Sequence, residues 1–167
     1  MRQIKLLALV LAITLSSSAY AQKIGHVDLQ SILLEMPDYK NGLDSLTKAS
    51  ERAEKELQKL QARYQKALQI YQDSSKQWSE SKRYTKMIEL QGQEQGIQAY
   101  GQIERLNLDS AQQTLLIKIL DKVKAASSEV AKEKGYAYVL TYSQESILYY
   151  EEKNDLTAAV RKKLGLL

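Results

Sequence analysis

Apolar side chains recur every three or four residues along most of the chain after residue 40. The first stripe consists of Leu43, Leu46, Ala49, Ala53, Leu57, Leu60, Tyr64, Ala67 and Tyr71. The second consists of Ile97, Tyr100, Ile103, Leu108, Ala111, Leu115, Ile119, Val123 and Val130. A repeat near 3.5 residues is typical of the seam between long packed helices. Because residues 73–79 break the repeat with turn-forming and N-cap residues, the pattern predicts an antiparallel helical hairpin turning near residues 74–81.

Shorter segments with a different pattern flank the hairpin. Residues 23–29 are predicted to form a strand, and residues 30–36 two helical turns that Pro37 interrupts. Gly135 stands where a helix C-cap glycine belongs. Two β-prone runs, 136–142 and 147–150, surround a polar tetrapeptide and favour a β-hairpin. A final short helix, capped by Asn154 or Asp155 and closed by Gly165, is predicted after them.

The predicted fold class is therefore α+β and mainly α, with a long helical hairpin projecting from a small β body. The arm is expected to span residues 40–134, and the body to combine residues 22–39 with 135–167. Three short strands and one short helix bury too little apolar surface to be stable alone, so association of identical copies is expected, in a number that this argument does not fix. The candidate oligomer core, from β runs that are apolar on both faces, is Ile24, Val27, Val139, Leu140, Ile147 and Leu148.

The first 21 residues have the three-part layout of a secretory signal peptide. Arg2 and Lys5 precede an uncharged apolar run over residues 6–15, and Ala19-Tyr20-Ala21 supplies a small-x-small cleavage site. The apolar run is shorter than the roughly 20 residues that span a bilayer, which argues against the alternative of an N-terminal anchor. We expect export and cleavage after Ala21.

Composition excludes most enzyme classes. The chain has no Cys and one His, so a thiolate site, a disulfide scaffold and a multi-histidine metal site are excluded within one chain. It contains no phosphate-binding loop, and His26 and the Glu151-Glu152 pair lack a catalytic or metal-binding context. Without Arg2 and Lys5, 22 basic residues face 20 acidic ones, which gives no reason to expect nucleic acid. The sequence predicts a non-enzyme without cofactor or metal.

A basic cluster surrounds the predicted turn of the hairpin. Its candidate contact residues are Lys76, Trp78, Lys82, Arg83 and Lys86, against which stands only Glu80. One interpretation is a solvated helix face. The other is contact with anionic lipid, lipopolysaccharide or acidic segments of a bound polypeptide, with the indole at the interface.

Three glycines, Gly92, Gly96 and Gly101, fall inside the second predicted helix, where each costs stability. Two interpretations are open. Small residues at this spacing permit close helix packing, or they create a soft point at which the arm bends.

Both ends of the chain after residue 21 resemble a known family. Residues 23–40 (KIGHVDLQSILLEMPDYK) are similar to the opening of the OmpH/Skp periplasmic chaperones, except that His26 stands at an expected aromatic position. Residues 130–140, 147–150 and 154–166 resemble the family's return to its β body and its closing segments.

This resemblance implies a homotrimer whose helical hairpins project around a cavity. It also implies an ATP-independent periplasmic holdase that binds unfolded outer-membrane proteins and prevents their aggregation. The alternative is a structural coiled-coil protein, acting as an envelope spacer or adaptor, which shares the hairpin but not the β body.

Overall fold

The computed structural model of the chain describes residues 22–143 and 149–167 and confirms a mainly α fold with a small sheet. The predicted signal peptide, residues 1–21, lies outside the described residues. In chain order the elements are β1 (Ile24–Val27), α1 (Leu29–Glu35), α2 (Pro37–Ser74), α3 (Glu80–Lys134), β2 (Tyr138–Thr141) and α4 (Thr157–Lys163). Short 3-10 turns, Ser75–Gln77 and Glu152–Asn154, follow α2 and precede α4.

The arm is the antiparallel pair of α2 and α3, which confirms the predicted hairpin and its turn. Pro37 occupies the first turn of α2, where a missing N–H costs nothing, so it starts this helix as well as ending α1. The Ser79 hydroxyl caps α3 by accepting from the Lys82 backbone N–H at 3.3 Å. Gly135 ends α3 with φ 69° in the left-handed region, as the C-cap pattern predicts.

The first apolar stripe lines the seam, but the second departs from its prediction. Every member of the first stripe is half-buried except Leu43 at its base. In the second stripe, Ile103 and Ala111 are exposed. The side chain of α3 that lies in the seam one turn after Tyr100 is Glu104, which is half-buried, whereas Ile103 lies about 100° away from it around the helix.

The hydrophobic core lies where the base of the arm meets the strands and α4. Ile32 of α1, Ile119 of α3 and Val160 of α4 are completely buried. The other buried apolar residues of this cluster are Val27, Met36, Val123, Ala126, Val130, Tyr136 and Leu156. The core thus joins the two ends of the described chain, and the rest of the arm extends beyond it.

The sheet consists of β1 and β2 in parallel, with Ile24 opposite Tyr138 and Val27 opposite Thr141. The described chain therefore closes between its two ends, and the predicted hairpin falls partly outside the described residues. Tyr149 and Tyr150 lie in no strand, and residues 144–148 of the second β run lie outside the described residues. A parallel pair requires a long connection, and the whole arm supplies it.

Ion pairs fasten the elements at the base. Lys163 of α4 bridges Glu129 and Glu133 of α3 at 2.8 Å each, and these contacts, first the hydrogen bond to Glu129, raise the pKa of Lys163. Lys122 pairs with Asp38, and its hydrogen bond lowers the pKa of that carboxyl group. Because these groups are partly or largely exposed to solvent, each pair adds little stability.

Candidate functional site

The tip of the arm brings together most of the predicted basic cluster. The indole of Trp78 packs edge-on against Tyr71 at 5.9 Å between ring centroids. The Lys82 ammonium lies 4.7 Å from the centre of the indole ring, a cation–π distance. Lys76, Lys82 and Arg83 are exposed around this aromatic pair. The arrangement gives the tip an aromatic platform with cations on its rim.

Lys86 lies one helical turn further from the turn, on α3. It is half-buried and forms an ion pair with Glu89. Its charge is therefore partly compensated, unlike that of Lys76 and Arg83, for which the described part of the chain provides no ion pair.

The residues of the predicted oligomer core lie on two opposite faces of the sheet. Val27 is buried and Val139 is half-buried, and both face the core of the same chain. Ile24 and Leu140 point to the other face and are each 49% exposed. Ile147 and Leu148 lie outside the described residues.

An open groove runs between β2 and the base of α3. It has a volume of 390 Å³ and is lined mostly by apolar and small side chains, among them Leu120, Ala131, Ala137 and Val139. Val27 of β1 also lines the groove, so one face of the sheet borders it. In the described part of the chain, β2 pairs only with β1. A strand edge without a partner among the described residues is a surface on which a further strand can add.

His26 belongs to an aromatic cluster in the body. Its ring lies 4.2 Å from that of Tyr150, which in turn packs edge-on against Tyr142 at 4.8 Å. The imidazole is buried, and its Nε2 has no hydrogen-bond partner within the described residues. His26 thus occupies the expected aromatic position as an aromatic packing residue.

Exposed apolar side chains along the arm are the feature that the seam pattern missed. Beyond the seam, both helices present large apolar groups to solvent: Ile70, Tyr84, Met87, Ile88, Ile103, Leu106, Leu116 and Ile117. They are spread from the tip to the base rather than gathered in one pocket. Except for Ile103, which belongs to the second stripe, their signal in the sequence is that they are apolar at positions between those of the stripes.

The glycines of α3 have no packing role within this chain. A methyl group added at Gly92, Gly96 or Gly101 would meet no atom within 4 Å, and none of the three has a positive φ. Close helix packing therefore does not explain them, and the soft-point interpretation remains.

Two negative observations apply to the described residues. No group of three or more acidic or histidine side chains is placed to hold a metal ion there. None of the helices in that part of the chain combines the length and apolarity that crossing a bilayer requires.

Comparison with known proteins identifies a matching family and a solved structure of similar fold. A model of the family described as outer membrane protein (OmpH-like) matches residues 23–164. No curated protein matches the sequence. The fold is similar to that of an OmpH-like protein from Caulobacter crescentus CB15 named as an outer membrane chaperone, with a TM-score of 0.73. The two share 13% sequence identity over 89% of this chain and 86% of the other, so this likeness shows the fold alone.

Proposed function

The chain belongs to the OmpH-like family, and on that premise we propose that it is an ATP-independent holdase chaperone of the periplasm. Its clients are unfolded outer-membrane proteins, which it shields from aggregation. The mechanism needs no catalytic step, nucleotide or cofactor. Release follows when insertion into the outer membrane is more favourable than the contacts with the arms.

The observation that carries this proposal is the apolar surface distributed along the arm. Ile88, Leu106 and Ile117 are between 47% and 67% exposed at three separate heights on α3. Each such contact is weak, but a long unfolded chain can touch many of them on several arms at once. Multivalent contacts hold the client by effective concentration, without a shaped pocket. They also occupy segments that otherwise pair with strands of other client molecules.

We place oligomer formation, as a homotrimer, in the body formed by residues 22–39 and 135–167. Support comes from the edge of β2 that has no partner among the described residues, and from the exposed side chains Ile24, Tyr138 and Leu140 on one face of the sheet, because both need covering. The arm, residues 40–134, then projects from each copy, and the arms enclose a cavity.

Localisation follows from the N-terminal segment. Residues 1–21 act as a signal peptide that is cleaved after Ala21, which delivers the remaining chain to the periplasm.

The tip residues Lys76, Trp78, Lys82, Arg83 and Lys86 contact anionic lipid, lipopolysaccharide or acidic client segments. Support comes from the cations around the Trp78 platform. Each basic residue near an anionic surface contributes about 1 kcal/mol, so several copies of the tip add up.

Suppression of aggregation tests the main proposal. An urea-unfolded outer-membrane barrel protein is diluted into buffer with the protein or with an arm-shortened variant, in which a short Gly-Ser linker replaces residues 58–99. The cut falls between Leu57 and Tyr100, which line the same groove across the seam. We expect the intact protein to suppress light scattering, and the shortened one to stay oligomeric but lose this effect. Equal scattering with and without the intact protein would favour the spacer or adaptor alternative.

A further inference from the structure

Six basic side chains form one straight row along α2. They are Lys48, Arg52, Lys55, Lys59, Arg63 and Lys66, at steps of four, three, four, four and three residues. The mean step of about 3.6 residues equals one helical turn, so the six lie within an arc of about 80°. At 1.5 Å per residue the basic row is about 27 Å long. All six side chains are exposed.

The charge of the basic row is largely uncompensated. Lys48 pairs with Asp44 and Lys59 pairs with Glu56. No ion pair engages the other four, Arg52, Lys55, Arg63 and Lys66, in the residues that the structure describes.

The acidic residues of this stretch of α2 lie outside the arc of the row. Glu51 and Glu56 border it on opposite sides, and Glu54 lies further around the helix. The seam is about 120° around the helix from the row. The basic row therefore serves neither the packing of the arm nor a network of ion pairs within it.

We propose that the basic row binds acidic, extended segments of an unfolded polypeptide, an assignment that rests on the holdase function proposed above. In an extended chain, side chains on one side repeat every ~6.8 Å. About eight residues therefore span the row, with four carboxylates facing it. Arg52 and Arg63 can each hold a carboxylate with two parallel hydrogen bonds, and the lysines adapt to irregular spacing.

The shape of the basic row favours a linear partner. It is one side chain wide and runs along the arm, whereas a lipid surface is a plane that the tip is placed to meet. The row also leads to Ile70, which is 50% exposed one turn beyond Lys66 and inside the same arc. A polypeptide with an acidic segment followed by an apolar one could thus contact the basic row and Ile70 on the same side of α2.

A pair of charge-matched variants tests the basic row. Lys55, Arg63 and Lys66 are replaced by Gln in one variant, and Arg105, Lys118 and Lys124 in the other. All six residues are exposed, and each variant loses one Arg and two Lys. The probes are a fluorescent twelve-residue peptide with Glu at alternate positions, the same peptide with Gln instead, and phosphatidylglycerol vesicles. Binding is measured by anisotropy, or by co-sedimentation for vesicles, at low and at physiological salt.

We expect the unmodified protein to prefer the Glu peptide and the Lys55/Arg63/Lys66 variant to bind it roughly five- to tenfold more weakly at low salt. The Arg105/Lys118/Lys124 variant should keep the preference. Equal losses in both variants, or no preference in the unmodified protein, would overturn the proposal in favour of a solvated face. A loss of vesicle binding alone would overturn it in favour of lipid. If the basic row shows no preference for the Glu peptide but the protein still suppresses aggregation, this proposal is refuted and the holdase proposal stands.

Discussion

At the scale of single residues, the glycines of this chain fall into two kinds with opposite roles. A methyl group at Gly25 would lie 2.6 Å from Leu156 Cδ1 and 3.0 Å from Tyr136 Cδ1, inside the body. A methyl group at Gly42 would likewise lie 2.4 Å from Leu115 Cδ1, so this glycine lets the leucine approach α2. Gly92, Gly96 and Gly101 have open space around them. Thus Gly25 and Gly42 permit close contacts. The three glycines of α3 lower the stability of the helix, and no close contact compensates for this.

Alanine substitutions should separate the two kinds. Gly25→Ala overpacks the region around the buried Leu156 and should destabilise the chain by about 1–3 kcal/mol. Gly92→Ala, Gly96→Ala and Gly101→Ala together should stabilise the arm by up to about 1 kcal/mol per site, because alanine has the higher helix propensity. Urea unfolding followed by circular dichroism, at equal protein concentrations, checks both signs.

The triple variant also tests the soft point itself. Hydrogen exchange across residues 87–106 should slow, and the range of client sizes held in solution should narrow. Slow exchange in this segment of the unmodified protein would contradict the soft point, whatever the alanine variant does.

At the scale of elements, the tip of the arm combines a stable turn with an exposed basic surface. The Ser79 cap and the packing of Trp78 on Tyr71 hold the turn. The basic side chains add only two solvent-exposed contacts, that of Lys82 with the indole and that of Lys86 with Glu89. Charge at the tip can therefore change with little effect on folding.

Reversing the charge of the tip should thus weaken binding to anionic vesicles and leave the stability of the fold nearly unchanged. With Lys82, Arg83 and Lys86 replaced by Glu, the free energy of unfolding should move by no more than about 0.5 kcal/mol per site. Binding to phosphatidylglycerol vesicles should weaken, and added salt should weaken binding of the unmodified protein in the same direction. Co-sedimentation measures both, with Glu at Arg105, Lys118 and Lys124 as the control. If neither salt nor the tip substitutions change vesicle binding, the basic cluster at the tip is only a solvated helix face.

Elements defined by local periodicity were predictable, and elements defined by their partners were not. The arm, its turn and the Gly135 cap follow from spacing and cap residues within a few positions of each other. The pairing of β1 with β2 joins residues on either side of the whole arm, and no local pattern specifies it. Likewise, the basic cluster at the tip was evident as a run of charges. The exposed apolar residues required knowledge of which positions the seam leaves uncovered.

At the scale of the whole molecule, the two faces of the sheet differ: one lies against the core of its own chain, and the other carries the exposed Ile24 and Leu140. Val139 packs against the core beside α3, and its neighbour Leu140 points outward at 49% exposure. Adjacent strand residues alternate between faces, so the same four-residue strand can serve folding and assembly separately.

Single aspartates on the two faces should therefore have different consequences. Val139→Asp buries an unpaired charge in the core and should cost about 3 kcal/mol or more, which unfolds the body and dissociates the oligomer. Leu140→Asp should dissociate the oligomer while the separated chains keep their helical content. Light scattering gives the mass and circular dichroism the helicity. An oligomer of unchanged mass and stability with Val139→Asp would refute the role of β2 in the core, and one with Leu140→Asp would refute its outward role in assembly.

The parallel pairing of β1 and β2 also sets the order in which this chain can fold. Ile24 meets Tyr138 only after the 113 intervening residues have been made. The contacts of the arm close outward from its turn over short separations, so they form early, whereas the body has a high contact order and forms last. Since the proposed oligomer assembly depends on the body, each chain builds its arm before it has partners. The exposed apolar side chains of a single arm are therefore in place before several arms can enclose a cavity.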